Sequence, residues 1–304
     1  MELFLHQLLA GIATGGIYAC LALAVVMIYQ SIDHFNFAQG EMAMFSTYIA
    51  WQLLAWGSPY WLAFIGAVAI SFVGGIAVER VLFKPIRHAP VLSHIVVFIA
   101  LFAIFNSLAG FTWEYTIKSF PSPFPSEPPF GTRLISFHDL GMIVVTLVLL
   151  ALLYVLFRHT RLGLAMRAAA ANPDSARLVG IRVGWMVALG WGLAASIGAV
   201  AGMMIAPVVF LEPNMMLGIL LYGLAGAVLG GMTSPVGAVL GGFAVGVIEN
   251  LAGVVLPWLG RAFDLPLAGN LGRELKLTIA LVLIVAVLTL RPSGLFGRAT
   301  VKRV

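Results

Sequence analysis

Runs of about 20 predominantly apolar residues, each long enough to cross a bilayer as a helix, alternate along this chain with short polar breaks. The first run is Leu3 to Tyr29, ended by the polar stretch Ser31 to Asn36. A shorter second, Gly40 to Trp56, is turned by Gly57, Ser58 and Pro59 into a third from Tyr60 to Phe83. Lys84, Arg87 and His88 with two prolines break the pattern before a fourth, Val91 to Phe111. Leu140 to Phe157 is the fifth run and Gly184 to Phe210 the sixth, with Pro207 near its end. A Gly-rich seventh from Met215 to Gly231, an eighth from Pro235 to Leu256 and a ninth from Leu275 to Leu290 complete the series. The pattern predicts an all-α, polytopic membrane protein with one transmembrane domain over residues 1–304. It carries about nine spans (eight to ten), of which the second, seventh and ninth are short.

The polar breaks set an expected orientation. Lys and Arg collect on the cytoplasmic side of membrane proteins, so the Lys84 loop, the basic stretch Arg158 to Gly184 and the tail with Arg291, Arg298, Lys302 and Arg303 are expected there. Nine spans then put the N-terminus outside and the C-terminus in the cytoplasm; if one short run dips in and returns, the N-terminus moves to the cytoplasmic side. The first run has no basic flank and is too long for a cleaved leader, so it reads as a retained span. The proline-rich segment Thr112 to Ser136, in which Lys118 and Arg133 offset Glu114 and Glu127, fits an outer loop, as does Pro257 to Glu274.

Composition agrees with a lipid solvent. Charged residues make up 10% and apolar residues 61%, where soluble domains carry about 25% charge. Mean hydropathy is +1.04. The net charge of +5 resides in loops and tail, where it signals orientation and not affinity for nucleic acid. Cys20 has no second cysteine to pair with.

Between the fifth and sixth runs lies a polar stretch with its own grammar. RHTRLGLAMRAAAANPDSARLVGIRVG, residues 158–184, holds five arginines against Asp174 alone. An Ala-rich helix is expected from Leu162 to Ala171, then a break. Asn172 is placed to cap a second short helix, Pro173 to occupy its first position, Asp174 to complement its positive end and Gly180 to close it. Two capped helices make a rigid object, which a mere connector does not need. Arg167, Asn172, Pro173, Asp174, Ala176, Arg177 and Gly180 are therefore the candidate docking residues for a cytoplasmic partner.

Polar groups at membrane depth are expensive, about 2.5–3.5 kcal/mol for a charge on insertion scales, and ask for a reason. Asp33, His34, Asn36, Gln39 and Glu41 gather at the first break, as either a translocation-path element or a cytoplasmic turn. Glu249 and Asn250 fall inside the eighth run, where the Glu pairs, lines a cavity or is protonated. Glu79 and Arg80 read as an interfacial pair at a helix end, and His94 and Asn106 as hydrogen-bonding groups between helices. Small residues recur at spacing four, as Gly11/Gly15, Gly198/Gly202, Gly226/Gly230, Gly237/Gly241 and Gly242/Gly246, and predict close helix crossings within the chain. The histidines are scattered and no HExxH occurs, so no metal site is expected; without a Gly-Lys dipeptide there is no phosphate loop and no ATPase site of its own.

FNFAQGEMAMFSTY (Phe35 to Tyr48), TRLGLAMRAAAANPDSARLVGI (Thr160 to Ile181) and LGGMTSPVGAVLGGFAVGVIEN (Leu229 to Asn250) together resemble LivH-type permease subunits of ABC importers for branched-chain amino acids. The resemblance covers essentially the whole chain. It implies a non-enzymatic permease of the bacterial inner membrane that binds no cofactor itself. ATP would act on two cytoplasmic ABC ATPases, alongside a second homologous permease in a homo- or heterodimer and a periplasmic substrate-binding protein. Leu162 to Gly180 would be the coupling segment. Asn36, Gln39 and Glu41, with the Gly-rich Leu229 to Gly242 stretch, would border the path, and Glu249 and Asn250 are further path candidates. Related permeases carry urea, short amides or other amino acids, and those remain open. The rival from another class is an ion-coupled secondary transporter using Glu249.

Overall fold

The computed structural model describes residues 2–32, 34–87, 89–125, 135–262, 276–291 and 293–297. The helices are α1 (Glu2–Ile32), α2 (Gln39–Ala55), α3 (Tyr60–Val78), α4 (Val91–Trp113), α5 (Phe137–His159), α6 (Arg161–Ala171), α7 (Pro173–Leu178), α8 (Val183–Val209), α9 (Met215–Gly230), α10 (Pro235–Ala262) and α11 (Lys276–Leu290). A π-helical turn, Glu79–Phe83, continues α3. Every apolar run of the sequence is a helix, with ends within a few residues of those expected. Asp33, His88, Glu127, Arg133, the tail basics Arg298, Lys302 and Arg303, and most of the expected outer segment before Glu274 lie outside the described residues.

Among the described residues, six helices are long and apolar enough to cross a membrane: α1, α3 with its π turn, α4, α5, α8 and α10. The other three are the runs the sequence marked as short. At about 1.5 Å per residue, the 17 residues of α2, 16 of α9 and 15 of α11 reach roughly 23–26 Å, less than the ~30 Å of a hydrocarbon core.

The chain divides into two compact units. The first holds Met1–Val26, Ser122–Val145 and Gly218–Val304, and the second Met27–Pro121 and Thr146–Leu217. In the first, α10 offers glycines to two neighbours. A Cβ on Gly241 would fall on the Gly226 carbonyl of α9, and one on Gly237 on that of Gly230; a Cβ on Gly242 would meet Ala19 of α1, and one on Gly246 the backbone of Gly15. Ala22, Val26, Ala227 and Ala238 fill the space between. Beyond α11 the chain returns, and the amides of Leu295 and Phe296 donate to the carbonyls of Leu229 (2.9 Å) and Gly230 (3.0 Å), which the end of a helix otherwise leaves unpaired.

In the second unit α8 is the central post, buried along most of its length. Gly198 and Gly202 face α2, where added Cβ atoms would meet Gln39, Ala43 and Thr47; Gly192 faces Phe72 and Ile76 of α3, and Gly75 of α3 faces Trp191 and Ala195 in return. The expected glycine pairs are thus helix crossings within each unit. Hydrophobic exclusion cannot drive helix association in lipid, so van der Waals contact and backbone approach carry it, and a missing side chain is what permits the approach. Hydroxyls then bond across: Ser71 donates to Ser46 at 2.7 Å, and Ser196 to the Val68 carbonyl at 3.3 Å.

Two adjacent glycines separate packing from lipid exposure. A Cβ at Gly75 would lie 2.6 Å from the Trp191 carbonyl, whereas one at Gly74 meets nothing within 4 Å. Gly75→Ala is expected to destabilise by about 1–3 kcal/mol through overpacking, while Gly74→Ala is neutral or stabilising by a few tenths. Thermal unfolding of the two variants in one detergent checks this; equal midpoints would contradict the packing account.

Candidate functional site

The polar stretch between α5 and α8 folds as the sequence requires. Thr160 caps α6 by accepting from the Gly163 amide at 3.0 Å and turns the chain sharply by donating to the Leu156 carbonyl at 2.6 Å. Asn172 stands extended between α6 and α7, and its Oδ1 accepts from the Ser175 amide at 2.9 Å, with Pro173 following at the first helical position. Gly180 takes φ +85°, the left-handed conformation that suits glycine, while the amides of Gly180 and Ile181 donate to Arg177 and Ala176 at 3.0 Å. Ala169, Ala176 and Val183 form a small core closed by Ile181, Met186 and Val187, which fixes the helix pair to the first turn of α8.

The expected docking residues divide accordingly. Arg167, Asn172, Pro173, Asp174, Arg177 and Gly180 are exposed, whereas Ala176 faces inward and holds the pair together. Asp174 is spoken for by Arg177 at 2.7 Å, an exposed pair of small energetic weight. At the tip, Leu178 is 89% and Val179 76% exposed, an apolar pair framed by arginines. Sequence reasoning passed over these two; the available signal was a pair of aliphatics just before the closing glycine of an otherwise polar loop.

The break between α1 and α2 lies beside the bodies of other helices. The rings of His34 and His94 stack at 5.0 Å near the start of α4. Further along, Phe45 meets Phe105 at 5.2 Å and Tyr48 stacks on Trp113 at 5.0 Å, so α2 runs parallel to α4 but begins well inside it. The Gln39 amide donates to the Ala194 carbonyl at 2.9 Å, in the middle of α8. Asn36 turns the chain by accepting from the Ala38 amide at 3.0 Å. Nonhelical backbone at such a level survives only where protein or water receives it.

Three buried polar residues surround this helix start. Glu41, 1% exposed, accepts from Asn106 at 3.3 Å; the same amide of Asn106 donates to the Pro213 carbonyl at 3.0 Å and to Asn214 at 3.1 Å. The acid lies in the first turn of α2. Gln39 is fully buried and its Oε1 has no hydrogen-bond partner. Asn36 is buried with its Nδ2 near the Met42 sulfur, at 3.8 Å. Asn106 fulfils its expected interhelical role, whereas His94 stacks and its Nδ1 makes no hydrogen bond.

Glu249 and Asn250 belong to the other unit and face α1. The Tyr18 hydroxyl donates to Glu249 at 2.8 Å, with Tyr18 stacked on Tyr222 at 5.0 Å. Asn250 donates to Thr14 and to the Gly246 carbonyl, both at 2.9 Å. Of the readings open for Glu249, pairing is the one observed. Glu79 and Arg80 do form the expected pair at the end of α3, 3.6 Å apart, but Arg80 also sits over the Trp185 ring at 4.1 Å, a contact no local pattern announced.

Comparison with known proteins gives this geometry a context. The family model described as branched-chain amino acid transport system / permease component matches residues 7–288. The chain is 29% identical to the high-affinity branched-chain amino acid transport system permease protein LivH of Salmonella typhimurium and 28% identical to that of Escherichia coli, over 99% of this chain and 98% of each relative. It is 29% identical to the permease protein BraD of Pseudomonas aeruginosa, which bears the same description, again over 99% and 98%. On this evidence the chain belongs to the family of permease components of branched-chain amino acid transport systems.

Proposed function

We propose that this chain is the membrane-spanning subunit of an ATP-driven, binding-protein-dependent importer of branched-chain or related amino acids. It works with a second homologous permease, two cytoplasmic ABC ATPases and a periplasmic substrate-binding protein, in a bacterial inner membrane with its C-terminus in the cytoplasm. ATP is bound and hydrolysed on the partner ATPases. The observation that carries this reading is the doubly capped α6–α7 knob, whose inner face is filled by its own core and which exposes Leu178 and Val179 next to Arg177, with Arg167 also exposed on α6. An exposed apolar pair on a knob that also exposes arginines suits insertion into a complementary groove on another protein, with the charges setting orientation. A permease without a separate motor has no use for such a structure.

On the same reading, the interrupted start of α2 borders the translocation path. Discontinuous helices in transporters place polar groups and free backbone donors at the level where solute crosses, and Asn36, Gln39 and Glu41 are buried polar groups at such a break. Glu249 and Asn250 are the corresponding candidates of the first unit.

Purification of the chain from its native membrane, with identification of the proteins that accompany it, tests the assembly; a chain that carries leucine uphill in liposomes with no nucleotide present would refute it. Replacing Asn172 and Pro173 together by Ala removes a cap of about 1 kcal/mol and the preset first turn. Uptake in membrane vesicles is expected to fall by roughly tenfold, the range of typical coupling energies, with the amount of permease in the membrane unchanged. Gly180→Val, which forces a β-branched residue to φ +85°, is expected to act in the same direction. Glu41→Gln is expected to reduce uptake by about tenfold while the ATPases still co-purify, because it alters the path and spares the docking surface; unaltered uptake would remove Glu41 from the path.

A further inference from the structure

The knob packs on the first turn of α8, and the π turn at the end of α3 is tied to the same turn. We propose that Arg80 is the positioning residue that carries movement of the α6–α7 knob into α3, through Trp185; this rests on the docking role of the knob proposed above. Trp185 lies in the first turn of α8, flanked by Val183, Met186 and Val187, which pack on Ala169 and Ala176 of the knob. The Arg80 guanidinium sits 4.1 Å from the centre of the Trp185 ring. Its Nε and one Nη are shut away from solvent without a hydrogen-bond acceptor, and its nearest carboxylate, Glu79, is 3.6 Å away and also lacks a hydrogen bond on Oε2. A guanidinium so placed is attracted to the face of the Trp185 ring, which itself stays 47% exposed.

The receiving element is built to yield. Glu79–Phe83 is a π-helical turn, closed by the Lys84 amide donating to the Glu79 carbonyl at 2.7 Å, and such turns interrupt the regular ladder of a helix and recur at functional positions. At its far end Phe83 is wedged against Phe98 and Trp191, at 4.6 and 4.5 Å between ring centres. A rotation of the first turn of α8 therefore pulls on the π turn at Arg80 while Phe83 holds its other end. This is a contiguous path of packed groups from the knob to α3.

The test uses the complete transporter, permease with its co-purified ATPases and binding protein, in proteoliposomes, with radiolabelled leucine as the probe and ATP hydrolysed per leucine taken up as the readout. Arg80→Lys keeps the charge and loses the planar group; Trp185→Leu loses the ring; Trp185→Phe keeps an aromatic face. Arg80→Lys and Trp185→Leu are expected to raise the ratio by about fivefold or more, within the range of coupling energies. The double variant should be no worse than either single, as for two partners in one contact, and Trp185→Phe should stay within about twofold of the parent. A purely structural role would lower yield and leave the ratio alone, so an unchanged ratio in Arg80→Lys and Trp185→Leu overturns the proposal. ATPase co-purification from the same preparations separates this from docking: retention with lost coupling supports the Arg80 link, and shedding of the ATPases by Arg80→Lys overturns it by making Arg80 part of the docking surface.

Discussion

Everything in this molecule depends on how closely helix backbones can approach in a solvent that does not push them together. Lipid tails are as apolar as leucine, so association must come from contact and from polar groups that meet across the gap. Both units answer in the same way. In one, α10 presents Gly237 and Gly241 to α9 and Gly242 and Gly246 to α1; in the other, α8 presents Gly192 to α3 and Gly198 and Gly202 to α2. Close approach then brings hydroxyls and amides into bonding range, as between Ser71 and Ser46 or Asn250 and Thr14. The glycines come first in this causal order, because a Cβ at any of these positions would hold the backbones apart and leave those polar groups facing nothing.

The interrupted start of α2 follows from the same economy. A helix that begins beside the middle of α8 exposes unpaired amides where water is scarce. The surroundings supply what is missing: the Asn36 side chain accepts from the Ala38 amide and its carbonyl from the Gln39 amide, Gln39 reaches the Ala194 carbonyl, and Glu41 holds Asn106. The knob solves a related problem in water. Its helices are too short to persist alone, and two side-chain caps, one left-handed glycine and a core of alanines and valines give them a fixed shape.

Much of this was legible in the sequence because the governing physics is local. The apolar runs mark the helices since a span must be long and greasy, and Asn172, Pro173 and Gly180 announce their roles because caps and turns are made by residues within four positions of one another. Glycine spacing told that helices would cross closely but not which ones, since a partner lies anywhere in the chain. The features that escaped are those joined across long separations: Tyr18 with Glu249, Asn106 with Glu41 and Asn214, Arg80 with Trp185. The π turn escaped as well, because ERVLF differs in no evident way from a regular helical sequence. Leu178 and Val179 were readable in principle, yet an aliphatic pair in a loop says little until its neighbours are seen to turn inward.

The pairing of α1 with α10 has a bearing on biogenesis. Tyr18 and Glu249 are 231 positions apart, and at about 5–20 residues per second a ribosome needs roughly 10–50 seconds to cover that distance. Throughout that interval the first helix stands in the bilayer with Gly11, Gly15 and Tyr18 awaiting the surface that will cover them. Nascent α1 must therefore either be retained by the insertion machinery or keep this face towards other surroundings until α9 and α10 have been made.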